Sequence, residues 1–224
     1  MWKYRVTAVQ PDGTYSWNHS VTVKEARGAW TVSYLKDDPS GRVTLVQTLE
    51  QGTMILRKES LTHFPKPDRP WPITLTLDFT DDKMVGTSNR TNGQDTPVAT
   101  TLGGPVFADE AGAMVTIGCL PLAGGYSTAF RNYDFQKSRE RLWQLKVVGQ
   151  ERVTVPAGTF DSYEVELTSA DGGPDKELVW VAKDSRVPVR GLTDILAGRN
   201  GGSDVRASTA QRGDHIFGMW ELVD

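Results

Sequence analysis

Apolar and polar residues alternate with a period of two along most of this chain. Trp2, Tyr4, Val6 and Ala8 alternate with Lys3, Arg5 and Thr7, and after Pro11-Asp12-Gly13 the pattern resumes with Tyr15, Trp17, His19, Val21 and Val23. One face of each such strand is apolar and the other polar, as a half-buried antiparallel strand requires. Trp30, Val32 and Tyr34 predict a third strand, Val43, Leu45 and Val46 a fourth, and Met54 to Phe64 a fifth. Pro65, Pro67, Pro70 and Pro72 read as an extended connection, after which Ile73, Leu75, Leu77 and Phe79 alternate without a break. Short strands follow at Met84–Asn89 and Val98–Leu102, then long ones at Tyr126–Phe135 and Arg139–Val148. Asp194 to Asp204, with Gly198, Gly201 and Gly202, reads as a loop, and His215 to Val223 as a last strand.

One stretch breaks the period. Between Phe107 and Leu120, the residues Phe107, Ala111, Met114, Val115 and Gly118 keep i, i+3, i+4 spacing, which predicts a helix over 107–120. Asp109 and Glu110 stand near its start, where acidic groups complement the dipole, and Pro121 ends it. About a dozen strands and one helix predict a mostly β, α+β fold, with an antiparallel sheet packed on the helix.

The densest strand signal runs from Leu142 to Arg190. Val153-Thr154-Val155 and the alternating Asp161–Thr168 flank Pro156-Ala157-Gly158-Thr159-Phe160, a tight hairpin turn. A second turn at Asp171–Asp175 leads into Leu178, Trp180 and Ala182, and a third at Lys183–Arg186 into Val187-Pro188-Val189-Arg190. Val-Pro-Ala-Gly-Thr-Phe-Asp at 155–161, Tyr-Glu-Val-Glu-Leu after it, Val-Trp-Val-Ala-Lys-Asp at 179–184 and Pro-Val-Arg at 188–190 resemble the bacterial DUF3108 family. The resemblance extends upstream to Leu120–Tyr126. That family is similar in fold to the periplasmic lipoprotein carriers LolA and LolB. The resemblance therefore implies a strongly curved sheet, a half-open barrel, wrapping a central helix, with residues 1–224 as one domain. Such segments also resemble modules that follow zinc peptidase domains, which implies an accessory role and an upstream peptidase domain as a partner.

Composition narrows the classes. The net charge of −3 and the lack of a basic run interleaved with aromatics give no reason to expect nucleic acid. No stretch approaches the roughly 20 apolar residues of a membrane helix. Met-Trp-Lys-Tyr-Arg-Val at the start has no apolar signal core. With the family resemblance, a periplasmic or extracellular location is expected, a signal or upstream domain having preceded Met1. The single Cys119 excludes an intrachain disulfide, and its apolar neighbours Ile117 and Leu120 predict a buried, inert thiol.

No catalytic pattern is present. His19, His63 and His215 have no metal-ligand spacing, and His19 falls on the apolar face of its strand as a core histidine. The acidic pairs coincide with turns, and there is no nucleophile elbow or phosphate loop. No cofactor is expected. The tryptophans carry two readings, core packing or the lining of an apolar pocket between sheet and helix. On the second reading Trp17, Trp30, Met114, Trp143, Tyr163 and Trp180 line the pocket, and a lipid or acyl chain, or a partner segment, fills it. Gly103, Gly104, Gly112 and Gly118 would then let the helix shift. The alternatives are an accessory domain with no ligand of its own, and a hydrolase, for which no pair of titratable groups shows a suggestive spacing.

Overall fold

The computed structural model describes residues 1–10, 13–38, 41–65, 71–90, 93–134, 139–170, 172, 176–196 and 215–224. The elements are β1 (Trp2–Gln10), β2 (Gly13–Ala26), β3 (Ala29–Asp38), β4 (Gly41–Glu50), β5 (Leu56–Pro65), β6 (Ile73–Phe79), β7 (Lys83–Ser88), β8 (Thr96–Thr101), α1 (Glu110–Cys119), β9 (Ser127–Asp134), β10 (Arg139–Val155), β11 (Gly158–Ser169), β12 (Lys176–Ala182), β13 (Pro188–Leu196) and β14 (His215–Leu222). The strands form an antiparallel sheet in the order β8-β7-β6-β5-β4-β3-β2-β1-β14-β13-β12-β11-β10-β9, which does not close. The predicted α+β class, mostly β with one short helix, is what the chain adopts. Of the predicted Asp194–Asp204 loop, 194–196 belong to β13 and the rest lies outside the described residues.

Two compact units are built from interleaved segments. The first comprises residues 1–2, 17–116 and 131–140, and the second 3–16, 117–130 and 141–224.

In the first unit, cross-strand register sorts the inner face into rows, because paired residues share a face. Val21, Tyr34, Leu45, Leu61, Leu75 and Ser88 make one row, and Val23, Val32, Gln47, Glu59, Leu77 and Gly86 the next. Most of these side chains are fully buried. Gly86 has no room for a side chain, since a Cβ there would lie 1.9 Å from the Thr76 carbonyl oxygen.

In the second unit, Trp143, Leu145 and Val147 of β10 pack with Val165 and Leu167 of β11, Val179 and Val181 of β12, Ile117 and Leu122. A β-bulge then changes the parity of β10. Val147 pairs with Val165, but Gly149 pairs with Glu164, so Val148 is the extra residue. Beyond it, Val153 and Val155 point to the face opposite Leu145 and Val147, and both are buried. The hairpin tip is anchored by Ala157 N–H donating to the Leu222 carbonyl (3.1 Å). Arg190 Nη2 donates to the Thr154 carbonyl (2.7 Å) and to Glu221 Oε1 (2.8 Å). Every residue from Leu178 to Ala182 is consequently buried, where sequence alternation alone predicts one wet face.

The helix begins three residues later than predicted. Phe107 instead makes isolated β-bridges to Ile55 and Asn132, with its N–H donating to the Arg131 carbonyl. Tertiary hydrogen bonding outweighs the helical spacing there. Cys119 corrects another expectation: it is exposed, because the chain leaves the helix at this point toward Pro121. Partial burial raises its thiol pKa, the opposite of what an activated thiolate needs.

Candidate functional site

The helix start is held by a buried polar pair. Gln47 of β4 accepts from Gly112 N–H (2.9 Å), and its Nε2 donates to the Asp109 carbonyl (3.1 Å) and to Glu59 Oε2 (2.9 Å). The side chain thus serves an orphan amide of the first turn, as a cap would, but from another strand. Gly112 is where β4 and helix come together. A Cβ there would lie 2.6 Å from Gln47 Oε1 and 2.3 Å from the Ala108 Cβ. This close approach requires a glycine at position 112. Glu110 adopts a left-handed φ of 50°, a conformation that costs a non-glycine residue roughly 1–2 kcal/mol.

Glu59 is one of the few buried charged residues, and burial pushes its pKa up to about 7, against the opposing hydrogen bond from Gln47. Asp109 and Glu110 add repulsion to its ionised form. Glu110 is exposed to solvent, yet its carboxyl pKa is raised, first by loss of surrounding water and then by Asp109, with Lys36 opposing.

A further row on the inner face is His19–Lys36–Val43–His63–Ile73, read across β2 to β6. His19 is buried, but Lys36, Val43, His63 and Ile73 are only half-buried although they point inward. The row below it, from Val21 to Ser88, is closed except at Tyr34. Tyr34 meets the His19 ring at 5.1 Å between centroids, and the Lys36 ammonium lies 5.2 Å from the Trp17 ring centroid. Burial lowers the His19 pKa to about 4, and Lys36 lowers it further in the same direction. The sequence showed His19 on an apolar face. It did not show Lys36, Val43, His63 and Ile73 as its row-mates, because that depends on register across five strands.

The six residues expected to line one pocket fall three in each unit. In the first unit Trp17 and Trp30 share the inner face of the β2–β3 pair but sit near its opposite ends, since Trp30 pairs with Glu25. Eight positions along a strand separate these levels, about 26 Å. Met114 lies half-buried on the helix. In the second unit Trp143 is in the apolar cluster, with Tyr163 packed against it. Trp180 is on the other face of β12, paired with Glu164 and Arg190, and its Nε1–H donates to Glu151 Oε1.

Among the described residues no group of His, Cys, Asp and Glu is arranged to hold a metal ion. Among them too, no helix is long and apolar enough to cross a membrane.

The family model for a protein of unknown function, DUF3108, matches residues 72–200. The chain belongs to the DUF3108 family. The match takes in α1 and β6 to β13, including the bulged hairpin over Trp180, and leaves the rows on β2 to β5 outside it. In this DUF3108 chain the motif around the hairpin is structural: Val153 and Val155 are buried opposite Phe160 and Gly158, and Ala157 at the tip bonds to Leu222 of β14. A solved structure, the beta-barrel-like protein of domain of unknown function DUF1849 from Brucella abortus, is similar with a TM-score of 0.59 at 11% identity. The likeness covers 100% of this chain and 97% of that one, and it shows the fold. No curated protein matches the sequence.

Proposed function

We propose that this DUF3108 chain is a non-enzymatic binding module, periplasmic or extracellular, that takes the apolar part of an amphipathic ligand such as an acyl chain. The ligand enters the first unit beside the row His19–Lys36–Val43–His63–Ile73. The observation that supports this reading, and the recess it proposes, is that inward-pointing Lys36, Val43, His63 and Ile73 are half open to water while Val21, Leu45, Leu61, Leu75 and Ser88 of the next row are buried. An apolar wall with a few polar groups at its rim suits an amphiphile, the chain against Val43, Ile73 and Tyr34 and the polar end near Lys36. Catalysis has no comparable support, since no nucleophile stands beside a base in the geometry described above.

Displacement of a fluorescent fatty acid tests the proposal. Binding in the micromolar range is expected, and Val43→Asp should weaken it at least tenfold while the fold, followed by circular dichroism, is kept. Unchanged affinity in Val43→Asp, or no binding by the native chain, would overturn it.

A further inference from the structure

The second unit carries two cations that no carboxylate among the described residues pairs with. Lys183 and Arg186 stand at either end of the turn between β12 and β13. The Lys183 ammonium lies 5.4 Å and the Arg186 guanidinium 5.6 Å from the same ring centroid, that of Tyr163 on β11. Lys183 Nζ donates to Gln150 Oε1 at 2.6 Å, and among the described residues neither cation has an ion pair. Asp184 follows Lys183 directly and Asp161 accepts from the Lys183 backbone N–H (2.9 Å), but both aspartates are exposed and neither side chain is ion-paired with Lys183 or Arg186. Both cations lie beside one ring, and an exposed cation–π contact contributes only about 0.5–1 kcal/mol. An oxyanion beside that ring would find charged donors in the guanidinium and the ammonium.

The arrangement is fixed by packing rather than left to two free side chains. Arg186 has a left-handed φ of 60°, a strain that persists only where surroundings impose it. Its carbonyl is pressed on the end of α1, where a Cβ at Gly118 would lie 2.3 Å from the Arg186 oxygen. Gln150 pairs with Tyr163 across β10 and β11 and is flanked by the Gly124 backbone, with 3.4 Å from a Cβ there to Nε2. Gly124 is followed by Gly125 at φ 80°. Tyr163, Tyr126, Phe130 and Leu120 are half-exposed along the same apolar cluster.

We propose that Lys183 and Arg186, with Tyr163 between them, form a binding site for an oxyanion of the phosphate or carboxylate class. The site lies inside the DUF3108 match, and it does not depend on the recess in the first unit. The anion is free in solution or the head group of an anionic lipid whose chain lies along Tyr126 and Phe130.

Calorimetric titration of the whole chain tests this with three probes: inorganic phosphate, dodecyl phosphate, and vesicles of phosphatidylglycerol in phosphatidylcholine. Lys183→Gln/Arg186→Gln should weaken phosphate binding at least tenfold. Both side chains are partly or fully exposed, so the variant should fold, which an unchanged melting temperature confirms. Equal affinity for inorganic and dodecyl phosphate identifies a free anion. A gain of tenfold or more with the dodecyl chain, or binding of vesicles only, lost in the double variant, identifies a lipid head group. Binding that survives in the double variant, or no binding of any probe, overturns the proposal. The variant Val43→Asp should leave phosphate binding unchanged, so failure of this site and failure of the recess reading are separable.

Discussion

Replacing Glu59 with Gln should stabilise the protein, and by an amount that grows with pH. The carboxyl is buried between β4 and the start of α1, with its pKa raised from 4.5 to about 7. A tenfold change in proton affinity is worth about 1.4 kcal/mol, so keeping this group ionised in the fold costs about 3 kcal/mol. The folded chain holds the proton more tightly than the unfolded chain. The favourable contribution is therefore complete below pH 4.5 and is lost as pH rises to 7. His19 works in the opposite direction over nearly the same range. Its pKa is lowered from 6.5 to about 4, so its contribution is complete above pH 6.5 and is lost as pH falls toward 4, again by about 3 kcal/mol. The His19 slope opposes that of Glu59 in the native chain, while the raised Glu110 carboxyl adds to the Glu59 slope, so native stability should still fall as pH rises through this range. Glu59→Gln removes the Glu59 slope. The variant should match the native chain near pH 4.5 and exceed it by about 3 kcal/mol above pH 7, roughly 6–12 °C in melting temperature for a chain of this size. Thermal and urea unfolding, followed by tryptophan fluorescence across about pH 4.5–8, measures the difference. A difference that stays constant with pH would refute the reasoning, because it would mean that Glu59 has the same proton affinity folded and unfolded.

Three further outcomes follow from packing. Gly112→Ala puts a methyl group against Gln47 Oε1 and the Ala108 Cβ, and should lower stability by about 1–3 kcal/mol in urea unfolding. Trp180→Ala removes a buried ring from the face of β12 that pairs with Glu164 and Arg190, and should cost about 3–5 kcal/mol in urea unfolding. Lys3→Ala breaks the 2.6 Å pair with Asp224, but both side chains are exposed, so unfolding should shift by less than about 1 kcal/mol.

How far the sequence reveals this architecture depends on whether a feature is local. Alternation from Ile73 to Phe79 or Tyr163 to Leu167 needs only neighbours along one strand, and such strands form where the pattern places them. The one helix is visible from its spacing, but its first residue is set by Gln47, 65 positions from the amide it accepts. The bulge at Val148 has a weak local signature, a glycine at 149, and everything beyond it changes face. Val153 and Val155 look like ordinary strand residues, and only the parity change turns them onto the side where Trp180 lies. That is why the burial of both faces of β12, Trp180 included, is not visible from alternation alone. The candidate sites are less legible still. Lys183 and Arg186 lie three residues apart in a turn that sequence marks as solvated, and it is Tyr163, twenty residues upstream and one strand over, that gathers them. Charge convergence of this kind is a property of register, and register is fixed by the pairing of Tyr163 with Val181 rather than by either segment alone. A one-residue slip of β12 against β11 would turn Tyr163 from Val181 toward a neighbour on the other face and part the ring from both cations, so the same pairing that buries the cluster also assembles the site.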